Sequence, residues 1–164
     1  MAVELYRIDD RLIHGQVVVG WGQPLDLRFI VLVDDDVAGS DWEQELYRMG
    51  VPPGMDVYFE SVEGAVRRHA EFAQDSRPGL VLTGNIETMQ RLVSGVDGAI
   101  RAVNVGGVHH RAGRVQRLRY VFLSRAEEDA LRAIARAGVV VTAQDVPAAR
   151  PVPLEDVLLS RSDG

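Results

Sequence analysis

The decapeptide Arg7-Ile8-Asp9-Asp10-Arg11-Leu12-Ile13-His14-Gly15-Gln16 gathers two arginines, two aspartates and a histidine just after a short apolar run. An imidazole beside fixed positive charge suits the uptake of an anion, and a phosphoryl group fits that chemistry. In this reading Arg7 and Arg11 supply the charge, and Gly15 lets backbone approach a ligand closely. The N–H groups of Gly15 and Gln16, at the start of a helix, are free to donate. Taken as an isolated residue, His14 reads first as a packed histidine satisfied by its neighbours, and only its charged company and the following glycine bring the functional reading level with that one.

Val3, Leu5 and Ile8 mark a first buried strand, and residues 16–21 read as the start of a helix, so His14 falls at a strand-to-helix junction. Open α/β folds place their chemistry at such junctions. Further along, β-branched apolar runs alternate with amphipathic stretches, which is the pattern of βα units around a parallel sheet. The fold class expected is α/β, a single domain over residues 1–164 with an open, mostly parallel sheet of seven strands and helices on both faces. Strands are predicted at 3–8, 28–33, 56–59, 80–83, 102–105, 119–123 and 139–143. Helices are predicted at 16–21, 40–49, 62–73, 86–94, 125–137 and 154–159. Ser61 and Ser124 stand where N-caps belong, the latter with Glu127 and Glu128 in the first turn. Pro52-Pro53-Gly54 enforces a turn before the third strand.

Composition excludes several alternatives. The chain has 164 residues, 46% hydrophobic, enough for one sizeable core. A formal net charge of −6 argues against nucleic acid or anionic membrane as a general partner. No apolar run approaches the roughly 20 residues of a membrane helix. No basic-then-apolar leader is visible at the N-terminus, so a cytoplasmic location is expected. With no cysteine there is no disulfide framework, thiolate nucleophile or cysteine-held metal. All 18 basic residues are arginine, which removes Schiff-base chemistry and the phosphate-loop lysine.

Other candidates are weaker. Asn104-Val105-Gly106-Gly107 ends a strand in two permissive residues and could offer backbone donors to an anion beside His14, or form a plain tight turn. Thr83-Gly84-Asn85 closes another strand similarly. His109 and His110 are adjacent, so in extended chain they point apart and do not grip one metal. The arginines at 111, 114, 117 and 119 read either as a solvated face or as a docking patch for an acidic partner. No nucleotide-binding glycine motif or serine-hydrolase elbow is present, and no cofactor or metal is expected.

The decapeptide, with Asn104-Val105-Gly106-Gly107 and Gln144-Asp145-Val146-Pro147, closely resembles enzyme IIB of the mannose/fructose/sorbose family of the bacterial phosphoenolpyruvate-dependent sugar phosphotransferase system. The resemblance runs nearly end to end and includes Pro52-Pro53-Gly54, Arg111 with Gly113, and the Ala137-Gly138 break. It implies that His14 accepts a phosphoryl group on Nδ1 from a separate phosphorylated enzyme IIA. It further implies that the group passes to a sugar held by the IIC and IID membrane subunits, without metal or nucleotide. Within that scheme Arg11 is expected to neutralise phosphoryl charge, with Arg7, Gly15 and Gln16 helping to bind it. Asp10 is the first candidate to hold His14 Nε2–H. His109-His110 departs from the apolar or aromatic residues more common there, so donor recognition is open to differ. Two other readings remain: a regulatory phosphohistidine protein without a transporter, and a noncatalytic anion-binding module on the same arginines.

Overall fold

A computed structural model describes residues 3–160. Its main sheet has the order β3-β2-β4-β1-β5-β8-β9. The strands are β1 (Val3–Ile8), β2 (Phe29–Val33), β3 (Asp56–Glu60), β4 (Gly79–Thr83), β5 (Ala102–Val105), β8 (Val140–Ala143) and β9 (Val152–Pro153). All pair in parallel except β9, which runs antiparallel to β8 at the edge. A hairpin of β6 (Val115–Leu118) and β7 (Val121–Leu123) stands apart.

The period-two alternation of strands divides the apolar residues between two cores. On β2, Phe29, Val31 and Val33 enter one, and Ile30 and Leu32 enter the other. The first core is closed by α3 (Val62–Ala73), α4 (Ile86–Gly95), α5 (Arg125–Arg136) and α6 (Leu154–Leu159). The second takes Val17 and Val18 from a π-helix at Gln16–Trp21, Val37 from α1 (Asp35–Ala38) and Tyr47 from α2 (Asp41–Met49). Helices therefore cover both faces.

Most expected elements are present within a residue or two at their ends. Two differ in kind. The strand expected at 119–123 is a hairpin instead, because Arg119 and Tyr120 make a tight turn that pairs Leu118 with Val121. The seventh strand of the main sheet is supplied by Val152–Pro153, too short to register as a periodic run. The expected α-helix at 16–21 is a π-helix, and the four-residue α1 was not legible. The caps are as read: Ser61 accepts from Gly64 N–H at 3.0 Å, and Ser124 and Glu127 form a complete capping box. Gly54, at φ 89, takes the left-handed turn that ends the proline pair.

The order of the strands fixes where chemistry is possible. β1 leads away to β2 on one side, while β5 leads away to β8 on the other, so a crevice opens above their carboxyl ends. Replacing Leu82, fully buried in β4 beside that crevice, with alanine is expected to cost about 2–5 kcal/mol of stability. Removing the α5 cap by Ser124→Ala should cost only about 1 kcal/mol. Urea unfolding of the two variants checks the ranking.

Candidate phosphoryl-transfer site

The chain leaves β1 pinned on both sides. Asp9 N–H donates to the Thr83 carbonyl at 2.9 Å and Asp10 N–H to the Gly107 carbonyl at 2.8 Å, so the β1 loop is stitched to the loops after β4 and β5. Leu12 N–H then returns to the Asp9 carbonyl at 3.0 Å, and Leu12 adopts a left-handed φ of 59. A leucine held there costs on the order of 1 kcal/mol, offset by its packing against Gly84, where a Cβ would come within 2.8 Å of Leu12 Cδ2. The reversal buries Ile13 in the second core and turns His14 back over Asp9.

Asp9 is completely buried and holds the site together. Its Oδ1 accepts from Arg11 N–H at 3.2 Å and Arg11 Nε at 3.1 Å; its Oδ2 accepts from Arg11 Nη2 at 3.1 Å and Arg7 Nη2 at 3.3 Å. His14 Nε2 lies 3.5 Å from Oδ1. Burial alone would raise the carboxyl's pKa, but the His14 and Arg11 contacts and the Arg7 charge outweigh it and hold the group well below the usual carboxylate range.

Arg7 is equally buried. Its guanidinium bonds to Asn104 Oδ1, to the carbonyls of Gln144 at 2.9 Å and Asp145 at 3.2 Å, and lies 4.7 Å over the Trp21 ring. Burial lowers its pKa, and Asp9 pulls it back up. With both terminal nitrogens engaged and only the buried Nε unpartnered among the described residues, Arg7 is the support beneath the site, in place of the direct anion ligand expected from its position. Gly106 is the space that admits it: a Cβ there would lie 2.2 Å from Arg7 Nη2. The Gly106 N–H is engaged by the Ile8 carbonyl at 2.7 Å, so it is not an anion donor.

His14 is one-fifth exposed and presents its ring at the crevice. Its Nδ1 accepts the Gln16 N–H at 3.2 Å. A nitrogen that accepts a hydrogen bond carries a lone pair, so the neutral ring has its proton on Nε2, facing Asp9. Nδ1 is thereby the nitrogen with the lone pair, the one able to act as a nucleophile. Arg11 reaches across to Gln16 Oε1 at 2.9 Å, and Gln16 Nε2 reaches Asp145 Oδ1 at 3.3 Å. Above Gly15 nothing lies within 4 Å of where a Cβ would stand, so the approach is open. Its backbone is ordinary right-handed helix, and glycine here serves access alone.

The structure brings Arg7, Arg11, Gly15 and Gln16 together around His14 and, besides the buried position of Arg7, departs from expectation in two details. Asp9 occupies the place beside Nε2 expected of Asp10, because alternation along the extended chain sends residues 7 and 9 to one side and 10 to the other. Asp10 instead clamps His109, accepting its N–H at 2.7 Å and contacting its Nδ1 at 2.6 Å. The Gln16 N–H is directed at the imidazole and is not a free helix-end donor. Sequence reading also missed Trp21, Asp145 and the Gln144 carbonyl. The only signal for Asp145 and the Gln144 carbonyl was the Gln-Asp-Val-Pro run at a strand end, and Trp21 had none.

The remaining candidates resolve into structure. Asn85 caps α4 through Thr88 N–H at 2.8 Å. Arg114 pairs with Glu127 at 2.7 Å, Arg117 bonds Glu128 at 2.6 Å, and Arg119 reaches Asp145 at 2.9 Å, so the arginine run is largely neutralised by its own fold. His110 turns away from His109 onto Phe122, with ring centroids 5.6 Å apart. Among the described residues no cluster could hold a metal ion, and no helix is long and apolar enough to cross a membrane.

Comparison with known proteins converges on one family. Residues 3–163 match the family described as PTS system sorbose subfamily IIB component. The sorbose-specific EIIB component of Klebsiella pneumoniae is 34% identical over 85% of this chain and 84% of its own. The N-acetylgalactosamine-specific enzyme IIB component 1 of Escherichia coli is 35% identical over 87% of this chain and 90% of its own. The mannose-specific EIIAB component of Escherichia coli is 29% identical over 99% of this chain, which spans 50% of that longer protein. The crystal structure of the IIBSor domain of the Klebsiella pneumoniae sorbose permease superposes with a TM-score of 0.87 at 30% identity, covering 97% of both chains. With that agreement of sequence, sheet order and site, the chain belongs to the sorbose subfamily of IIB components of the sugar phosphotransferase system and is a phosphotransferase of sugar uptake.

Proposed function

We propose that this chain, as a single IIB domain, carries a phosphoryl group on His14 Nδ1 between a phosphorylated enzyme IIA and a sugar presented by IIC and IID membrane subunits. The observation that carries the reading is the Gln16 N–H donated to Nδ1, which marks Nδ1 as the unprotonated nitrogen, its lone pair held by that N–H until a phosphoryl donor displaces it beside the open space over Gly15. The fused mannose-specific EIIAB relative supports a IIA donor working beside this fold. Relatives named for sorbose, N-acetylgalactosamine and mannose support a sugar as the acceptor, without choosing among such sugars. Such a relay operates on the cytoplasmic face of the membrane.

The geometry supplies a sequence of steps. The donor's phosphohistidine approaches over Gly15, and His14 Nδ1 attacks phosphorus in line as the donor's N–P bond breaks. The Nε2 proton stays on the ring, where Asp9 offsets the positive charge that develops on the imidazole. The Gln16 N–H, displaced from Nδ1, then lies close enough to donate to a phosphoryl oxygen. Arg11 is the one guanidinium of the pair with exposed surface, about a third of its side chain, and neutralises the equatorial oxygens. Arg7 acts through Asp9 and does not touch the phosphoryl group. In transfer onward the sugar hydroxyl oxygen attacks phosphorus as the His14 N–P bond breaks, its proton passing to water, and the ring returns to the neutral form with its proton on Nε2.

Incubation with phosphoenolpyruvate, enzyme I, HPr and a IIA protein of this family should add one acid-labile phosphoryl group, read by intact mass, and His14→Ala should abolish it. Labelling that persists in the alanine variant would place the acceptor elsewhere. Arg11→Ala is expected to slow single-turnover transfer about ten- to a hundredfold while leaving the fold intact, since that side chain is partly exposed. Unchanged transfer removes Arg11 from the scheme.

Asp9 predicts a pH dependence of stability. Its folded pKa lies below its unfolded value near ~3.9, so its contribution is complete above about pH 5 and is lost as pH falls through the folded value. Asp9→Asn leaves Arg7 buried without its counter-charge, and should cost about 3–5 kcal/mol at neutral pH. The gap between wild type and variant should narrow on acidification. Denaturant unfolding at pH 7 and at about pH 3 measures both; a gap that widens in acid contradicts the assignment.

A further inference from the structure

The mechanism leaves Asp10 and His109 unused, although they are held closely together at the crevice. Asp10 grips His109 twice, Oδ2 taking the backbone N–H at 2.7 Å and Oδ1 facing ring Nδ1 at 2.6 Å. Asp10 is mostly shielded, and the His109 side chain is 56% exposed. The ring stands over Gly107, at the rim of the His14 site. A Cβ placed on Gly107 would lie 3.2 Å from His109 Cε1, 3.3 Å from Asp9 Oδ1 and 3.4 Å from Arg11 Nε. Three side chains thus surround one point, and two of them already belong to the phosphoryl site.

The chemistry of the ring follows from that clamp. A carboxylate only accepts, so the nitrogen at 2.6 Å from Asp10 carries a hydrogen, and Nδ1 is committed. Nε2 has no hydrogen-bond partner among the described residues. The other charged groups around the ring are Arg11 and Asp9, bonded to each other, and Arg114, whose guanidinium donates to the His109 carbonyl at 2.6 Å and is paired with Glu127. His110 faces Phe122. Nothing within the fold claims Nε2.

We propose that His109 is a second ligand of the phosphoryl group on His14, donating from Nε2 to a phosphoryl oxygen while Asp10 fixes the ring through Nδ1. The inference rests on His14 being the phosphoryl carrier. When the group arrives, the ring stands between two anions, and the imidazolium, which takes its second proton from solvent, bonds to both. The N–P bond made and broken is still the one at His14 Nδ1. His109 contributes charge and one hydrogen bond, which favour the phosphorylated state of this chain over that of its donor.

Two substitutions separate this role from a structural one, because the asparagine amide reproduces the donor at Nδ1 and the glutamine amide the donor at Nε2. Wild type, His109→Ala, His109→Asn and His109→Gln would each be equilibrated with phosphoramidate, a small phosphoryl donor needing no docking surface. Phospho-His14 is then read by intact mass and ³¹P NMR, with His14→Ala as blank. The expected result is a roughly five- to tenfold lower phosphorylation equilibrium in the alanine and asparagine variants, with glutamine retaining most of the wild-type value. In ¹⁵N-labelled wild type, the His109 Nε2 resonance should move on phosphorylation. Equal equilibria in all four proteins, retention by asparagine with loss in glutamine, or an unmoved Nε2 resonance would each overturn the proposal. Absence of label on wild-type His14 would instead remove the carrier reading on which it stands.

Discussion

A carboxylate with no exposed surface, Asp9, is the contact on which the rest of this site depends. Taking a carboxylate and a guanidinium out of water costs several kcal/mol for each ion, and their attraction repays it only when every remaining donor and acceptor is also met. The fold approaches that condition by recruiting distant chain, and of the pair's guanidinium nitrogens Arg7 Nε alone is left without a partner among the described residues. Asn104 from β5, the carbonyls of Gln144 and Asp145 beyond β8, and the Trp21 ring of the π-helix all converge on Arg7, which in turn holds Asp9. The ion pair therefore couples β1, β5, β8 and the π-helix, and a change at any of them reaches His14 through one carboxylate. Gly106 belongs to the same condition, since any side chain there would occupy the volume of the guanidinium.

The π-helix is the second half of the arrangement. Val17 and Val18 N–H groups both bond to the His14 carbonyl, at 3.1 and 3.0 Å, and the helix then continues with wide-turn bonds such as Gly22 to Val17 at 3.0 Å. The wider turn places Val17, Val18 and Trp21 on its buried side, so Trp21 reaches back over Arg7 while the valines fill the second core. The Gln16 N–H, an orphan of the helix start, remains for the imidazole. Such irregular helices concentrate at functional sites because the misfit is tolerated only where it positions something. Here it positions the tautomer of His14.

How much of this was legible in the sequence follows from the range of each interaction. Strands and long helices were readable because burial imposes period two or 3.6 on neighbouring residues, as in residues 28–33 or 62–73. His14, Arg7, Arg11, Gly15 and Gln16 were readable because they lie within ten residues of one another. Asp9 and Asp10 were both visible, but choosing between them required the direction of the chain after β1, which is set by bonds to Thr83 and Gly107. Asp145 and Trp21 join the site across 124 residues, and no local pattern announces such a contact. The resemblance to IIB proteins supplied the reaction, and the composition supplied only exclusions.

A carrier must hold its phosphoryl group firmly enough to receive it and loosely enough to release it. The charges assembled here express that compromise. Arg7, Arg11 and Arg119 stand against Asp9 and Asp145 in ion pairs and against Asp10 at the rim beside His109, so the charges of the site nearly cancel in a chain of net charge −6. Had the arginines stood without carboxylates, the dianion would be bound as a ligand and transfer onward would pay for breaking those bonds. Because Arg7 is already spent on Asp9 and on backbone carbonyls, only the exposed edge of Arg11 and a few N–H donors remain for the phosphoryl group. The buried ion pair thus fixes the geometry of the imidazole while keeping most of its positive charge away from the crevice, and on the proposed function that suits His14 to a relay point instead of an end point.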